Sequence, residues 1–132
     1  QANYSSGAGA NFIMYAFSEV AGYSRFGAYT GNGNFDGTFI YTGFRPALII
    51  IKRTDSTTGA NWLLLDDKRS TFNVVNNNLF GNLIIAETNT DRCDFLSNGF
   101  KVRDSHQDGN SSSGEYIYLA FAESPFKNAR AR

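Results

Sequence analysis

Residues 116–123 read Tyr116-Ile117-Tyr118-Leu119-Ala120-Phe121-Ala122-Glu123, and they nearly repeat residues 12–19, Phe12-Ile13-Met14-Tyr15-Ala16-Phe17-Ser18-Glu19. Isoleucine, alanine, phenylalanine and glutamate recur at the second, fifth, sixth and eighth positions, and the first position is aromatic in both. Each copy follows a stretch rich in Ser, Gly and Asn (residues 5–11 and 110–114). Successive side chains of a strand point to opposite faces, so Ile13, Tyr15 and Phe17 share one face and Ile117, Leu119 and Phe121 the matching one. Both copies read as β-strands. The offset, 116 − 12 = 104 residues, is about one small domain. The chain therefore reads as one full repeat preceded by the closing strand of an earlier repeat. Chance likeness between two aromatic strands is the alternative.

The rest of the composition agrees with an all-β domain. Twelve Phe and seven Tyr favour strands, while 13 Gly with abundant Asn, Ser and Thr supply turns. At 132 residues the chain forms one domain and buries about two thirds of its unfolded surface. Twelve basic residues balance twelve acidic ones. No basic stripe invites nucleic acid and no basic amphipathic helix invites a membrane surface. The longest apolar run, residues 47–51, is far too short to span a bilayer. The chain opens at Gln1 rather than Met, without a signal-peptide pattern, and reads as processed or as part of something longer. Cys93 is single, so the fold is held by its core.

Strands are expected at residues 25–30 and 38–42, joined as a hairpin across the Gly- and Asn-rich residues 31–37. The run Ala47-Leu48-Ile49-Ile50-Ile51-Lys52 reads as a central strand covered on both faces, paired with residues 61–66. A short strand is expected at 72–75, a turn at Asn76-Asn77-Asn78, and an irregular segment with a short strand at 79–86. Residues 92–96 and 100–103 form a hairpin about Ser97-Asn98-Gly99. A polar loop, 104–113, leads into the last strand. The expected core is Ile49, Ile51, Trp62, Leu64, Phe100, Val102, Ile117, Leu119 and Phe121. The regular spacing points to a two-sheet antiparallel β-sandwich, lectin-like or jelly-roll. Its domain spans residues 25–126, after an upstream strand and linker at 1–24 and before an exposed tail at 127–132.

Chemistry is sparse. Ser105, His106 and Asp108 are neighbours in one loop and do not make a triad. Cys93 has no partner for zinc and reads as a half-buried apolar residue. Asp66 with Asp67, and Asp91 with Asp94, are carboxylate pairs; a glycosidase needs two carboxylates held across a cleft, which acids on different strands could supply, but nothing in the sequence singles out a pair. Asn32-x-Asn34-x-Asp36-Gly37 opens like a calcium loop yet lacks the closing acid, since Gly43 stands there. It reads as a turn, with no metal and no cofactor. Tyr23, Tyr29, Phe35, Tyr41 and Trp62 are the candidates for stacking on a sugar, or else for core and subunit contacts.

Three segments carry a resemblance. They are Gly22-Tyr23-Ser24-Arg25-Phe26-Gly27-Ala28-Tyr29-Thr30-Gly31-Asn32-Gly33; Tyr41-Thr42-Gly43-Phe44-Arg45-Pro46-Ala47 with Ile51-Lys52-Arg53-Thr54-Asp55; and Phe95-Leu96-Ser97-Asn98-Gly99-Phe100-Lys101 leading to residues 116–123. Together they resemble a repeat domain of uncharacterised function from tailed-bacteriophage structural proteins, among them tail-fibre proteins, often in tandem. The likeness covers residues 22–126. It implies a virion location outside the cell, self-assembly or contact with other virion proteins, and a host-surface glycan as a further partner. It brings no catalytic residue. The expectation is a non-enzymatic virion structural and adhesion module; a carbohydrate-binding module of a secreted or cell-surface protein is the alternative.

Overall fold

The computed structural model describes residues 14–124. Among them are eight strands and no helix: β1 (Ser24–Thr30), β2 (Phe39–Tyr41), β3 (Leu48–Arg53), β4 (Trp62–Asp66), β5 (Val75–Phe80), β6 (Thr88–Leu96), β7 (Gly99–Val102) and β8 (Glu115–Phe121). All are hydrogen-bonded into one sheet in the order β1-β8-β3-β4-β5-β6-β7-β2, and every pairing is antiparallel. The ladder is continuous, so the expected division into two sheets is not seen. The sheet curls nearly into a barrel instead. An eight-stranded barrel has an interior just wide enough for side chains to fill. Ile49, Ile51, Leu63, Leu65, Val75, Phe95, Phe100, Val102, Tyr116 and Tyr118 fill it.

Strands β3 to β7 form a meander, and β8 returns to lie between β1 and β3. The pairing of β3 with β4 and the β6–β7 hairpin are as the sequence predicts. The β1–β2 hairpin is not. These two strands are neighbours in sequence but occupy opposite ends of the sheet order. The loop between them is tied elsewhere: Gly33 N–H donates to the Asn110 carbonyl, Asn32 N–H to Asn110 Oδ1, and Gly37 N–H to the Val102 carbonyl. With its loop anchored there, β2 pairs with β7. Gly99 is required at that pairing, because a Cβ would sit 2.1 Å from the Ile40 carbonyl oxygen. Closure brings β1 and β2 to the two sides of one seam, bridged where Thr38 Oγ1 donates to the Thr30 carbonyl at 2.9 Å.

The predicted core is right for Ile49, Ile51, Phe100 and Val102 and off by one residue on two strands. Strand β4 buries Leu63 and Leu65 rather than Trp62 and Leu64, and β8 buries Tyr116, Tyr118 and Ala120 rather than Ile117, Leu119 and Phe121. Both faces of these strands are apolar, so alternation alone does not choose a side, and a shift of one residue exchanges every side chain. Tyrosine is tolerated inside because its hydroxyl finds a partner: Tyr116 Oη donates to the Gln107 carbonyl at 2.9 Å. Strand β3 is likewise covered on one face only, since Leu48, Ile50 and Lys52 point outward and stay half-buried. Asn76, Asn77 and Asn78 are not a turn. They lie in β5, where Asn78 points inward and is satisfied by the carbonyls of Asn76 and Thr88 and by the Thr88 hydroxyl. Of the strand expected at 72–75 only Val75 belongs to one.

The first of the two repeated stretches differs most. Phe12 and Ile13 lie outside the described residues, as do residues 127–132, and residues 14–19 form no strand. Val20 and Ser24 exchange two backbone bonds and open an antiparallel hairpin. Its next rung would join Phe26 to Ser18. Both groups are already used: Phe26 N–H donates to Glu19 Oε1, and the Ser18 carbonyl accepts from Ser24 Oγ. The hairpin therefore stops after one bridge.

The inside–outside assignment predicts a mutational contrast. Leu63→Ala and Ile49→Ala each lower the unfolding free energy by about 2–5 kcal/mol, as buried aliphatic truncations do. Ile117→Ala costs about 1 kcal/mol or less, as a partly exposed site does. Urea denaturation at low protein concentration measures all three, and equal losses at Leu63 and Ile117 would contradict the register.

Candidate functional site

The seam between β1 and β2 is where the sheet leaves its backbone unpaired. Tyr23 accepts from Ala122 N–H, and Gly31 donates to the Gly114 carbonyl, so the odd-numbered residues of β1 bond toward β8. The two-residue period then turns the N–H and C=O groups of Phe26 and Ala28 to the seam. On the other side, Val102 N–H donates to the Thr38 carbonyl and Thr42 N–H to the Asn98 carbonyl. Phe39 and Tyr41 consequently offer their backbone to the seam. Such an edge recruits other chains unless it is blunted. The Glu19 carboxylate on Phe26 and the Thr38 hydroxyl on Thr30 blunt it.

Where the seam widens lies a cleft of about 440 Å³, lined by Glu19, Gly22, Ser24, Arg25, Thr42 and Gly43. Arg25 Nε stands 3.6 Å from Glu19 Oε1, giving the cleft a donor-rich and an acceptor-rich group side by side. Burial raises the Tyr118 hydroxyl pKa, and a hydrogen bond with Arg25 opposes that rise. Tyr118 lies flat over Gly27, where a Cβ would come within 2.9 Å of its ring. Gly43, at φ 84°, turns the chain after β2, and the Tyr41 hydroxyl lies 3.6 Å from where its Cβ would be. Tyr41 therefore stands at the rim of the cleft.

The five candidate aromatics do not form one platform. Tyr41 and Phe35 are exposed, 64% and 70%, the first at the cleft and the second in the loop after β1. Trp62 is 39% exposed on the outer face of β4. Tyr23 packs edge-on against Phe121 at 6.3 Å. Tyr29 points into the barrel, stacks on Tyr116 at 5.0 Å and donates its hydroxyl to the Gly109 carbonyl. It is partly buried against the core, and burial of its hydroxyl pushes that group's pKa well up. Sequence reasoning missed Glu19, Arg25 and Phe39, because their proximity depends on the order of strands in the sheet.

The loop end of the barrel is closed by polar groups. The Asn110 amide donates to Asn32 Oδ1 and to the carbonyls of Asn34 and Asp104. Asp108 Oδ1 accepts from Asn61 N–H, and Asp108 Oδ2 lies 2.9 Å from His106 Nδ1. Beneath them Arg92 and Asp104 form a buried ion pair at 2.8 Å. His106 thus serves a loop contact, and among the described residues no serine hydroxyl bonds to it. Cys93 lies wholly inside, where burial pushes the thiol pKa up. The carboxylate pairs are each tied to cations: Asp66 to Arg69 and Asp94 to Arg103, both at 2.6 Å. Burial raises the Asp66 carboxyl, but bonds from Arg69 and Lys68 outweigh it and hold its pKa below the ordinary value. In the calcium-like loop, Asn32 Oδ1 accepts from Asn34 N–H, Asn34 Oδ1 accepts from Asp36 N–H, and the Asp36 carboxylate pairs with Lys101.

Two measurements follow from this geometry. The oxygens of the Asn32–Asp36 turn already serve the turn and Lys101, so millimolar calcium should leave the melting temperature unchanged. A calcium-dependent rise lost in Asp36→Ala would contradict this. The second concerns Asp104, whose pKa is raised because burial outweighs the bond to Arg92. A raised folded-state pKa means that this group favours folding below its unfolded pKa, and that its contribution is lost as pH rises through the folded value. The stability of the parent relative to Asp104→Asn should therefore be greatest in acid and fall as pH climbs through and above the carboxylate range. Denaturation at several pH values reads the slope, and the opposite slope would contradict it.

Comparison with curated proteins finds no match, and neither does comparison with solved structures. A family model does match: it is described as a domain of unknown function (DUF7483) and aligns with residues 1–125, spanning both repeated stretches. The chain belongs to the DUF7483 family of domains of unknown function.

Proposed function

We propose that the domain is a non-enzymatic structural and adhesion module of a bacteriophage virion, working outside the cell. It assembles through strand and aromatic contacts and holds a host-surface glycan at its seam. The curled sheet then serves as a lectin-like sandwich does, with two halves facing across one core. The observation that carries the reading is the cleft in the seam, which Arg25 and Glu19 line and where the exposed Tyr41 reaches toward Gly43 in its wall. A sugar needs this combination: an apolar ring for its C–H face, and both donors and acceptors for its hydroxyls. The cleft's volume suits one or two sugar rings. Against Asp66 as a hydrolytic acid weighs its pairing with Arg69, which helps hold its carboxyl below the ordinary pKa, since a glycosidase acid needs a raised one. The virion setting rests on the resemblance to phage structural repeats. The same cleft would serve a carbohydrate-binding module of a secreted or cell-surface protein, and antibody labelling of phage particles separates the two settings.

Retention on immobilised bacterial surface polysaccharides tests the binding role. The protein should be retained on at least one, and Tyr41→Ala should weaken retention about tenfold or more, as the loss of a stacking aromatic does. Failure on every polysaccharide, or retention indifferent to Tyr41, would overturn the glycan reading.

A further inference from the structure

The polar side chains in the wall of the seam cleft are Glu19, Ser24, Arg25 and Thr42. The two hydroxyls are committed to the fold: Ser24 Oγ donates to the Ser18 carbonyl, and Thr42 Oγ1 to the Phe44 carbonyl. What remains for a ligand is the Arg25 guanidinium and the Glu19 carboxylate, whose side chains are 54% and 48% exposed. They do not saturate one another. Glu19 Oε1 is tied to Phe26 N–H at 3.0 Å, and Arg25 Nε stays 3.6 Å from it, beyond hydrogen-bond reach. The other described arginines differ. Arg45, Arg53, Arg69, Arg92 and Arg103 each donate to a carboxylate, at 3.2, 2.6, 2.6, 2.8 and 2.6 Å. Among the described residues, Arg25 is the arginine whose planar fork of N–H groups no carboxylate fills; its hydrogen bond goes to the Tyr118 hydroxyl.

We propose that the glycan held in the cleft is an acidic one, and that the carboxylate of a sugar acid fills the Arg25 fork. The inference rests on the glycan reading and names the class of sugar. A guanidinium presents N–H groups in one plane at the spacing of the two carboxylate oxygens, so the pair forms parallel charge-assisted hydrogen bonds. Such bonds are about twice as strong as those to a neutral hydroxyl, so a sugar acid gains more from Arg25 than a neutral sugar does. Ala21, Gly22 and Gly43 complete the wall with little or no side chain, which leaves room for a ring beside the guanidinium. Glu19 narrows the class further. With its carboxylate beside Arg25, the charges lining the cleft cancel before a ligand arrives, and a second ligand charge would be repelled. A singly charged carboxylate therefore suits the site better than a doubly charged phosphate monoester. The Glu19 carboxylate, an acceptor only, takes the hydroxyls of the same sugar.

Retention of the full chain on immobilised polymers of sugar acids (polygalacturonate, alginate and polysialate), each beside its own carboxyl-reduced form, tests the proposal without altering the protein. Reduction turns every carboxylate into a hydroxymethyl group and leaves the rest of the polymer as it was. The expected result is retention on at least one acidic polymer, weakened about tenfold or more on its reduced form. Arg25→Gln should bring retention on the acidic polymer down to that on the reduced one. Arg25→Lys, which keeps the charge and loses the fork, should fall between. Glu19→Gln keeps an acceptor for Phe26 N–H but removes the competing charge, so it should strengthen retention on the acidic polymer severalfold. Far-ultraviolet circular dichroism checks the fold of each variant, and the reduced polymers need none. Equal retention on acidic and reduced forms, or acidic retention indifferent to Arg25→Gln, overturns this inference and leaves the glycan reading standing. Retention only on neutral or phosphate-bearing polysaccharides does the same. Retention on no polysaccharide overturns both.

Discussion

The structure depends on one strand being paired along both sides. Strand β8 bonds to β1 through seven register pairs and to β3 through six. It comes from the end of the described chain, yet it sits between strands from the beginning and the middle. Without it β1 has no sheet, and β3 becomes an edge. Pairings of this separation close long loops, a cost in chain entropy that local contacts do not carry. The offset comes from what β8 presents on its two faces. Tyr116, Tyr118 and Ala120 enter the core, while Ile117, Leu119 and Phe121 lie over the outside of β1 and β3.

The second constraint is polar. A curled sheet of short strands leaves its ends open, and this one closes its loop end with side chains that replace water. Asn110, fully buried, ties the loop after β1 to the loop before β8. Arg92 and Asp104 are buried with it, and Arg92 Nε has no partner. A buried pair of this kind holds a geometry more than it adds stability, because desolvation offsets most of the attraction. The geometry it holds is the anchorage of residues 31–38, which sends β2 to β7 and leaves the seam.

The seam and the outer face then follow from the fold without further adaptation of the core. An unclosed barrel has two edges, and the chain protects them with a carboxylate, a hydroxyl and a hairpin that ends after one bridge. The same region brings Arg25 to Glu19 and the Tyr41 hydroxyl to Gly43. On the far side, five strands that bury one apolar face also present another. Two distinct surfaces result, one mixed polar and aromatic and one largely aliphatic.

From sequence alone the class was legible, as were seven of the eight strands in outline, the β3–β4 and β6–β7 pairings, and the polar character of residues 104–113. These features rest on local signals: alternation, aromatic content, and Gly or Asn at turns. Tertiary structure decided which face of β4 and β8 turned inward, because Trp62-Leu63-Leu64-Leu65 and residues 116–121 are apolar on both faces. It also decided the partner of β2, because the anchor is Asn110, more than seventy residues beyond the loop it holds. The repeated stretches show the limit most clearly. Similar residues form a strand at 116–121 and none at 14–19, since only the later copy finds open backbone on both of its sides. Sequence sets what a segment can pair with, and the position of the other strands sets whether it does.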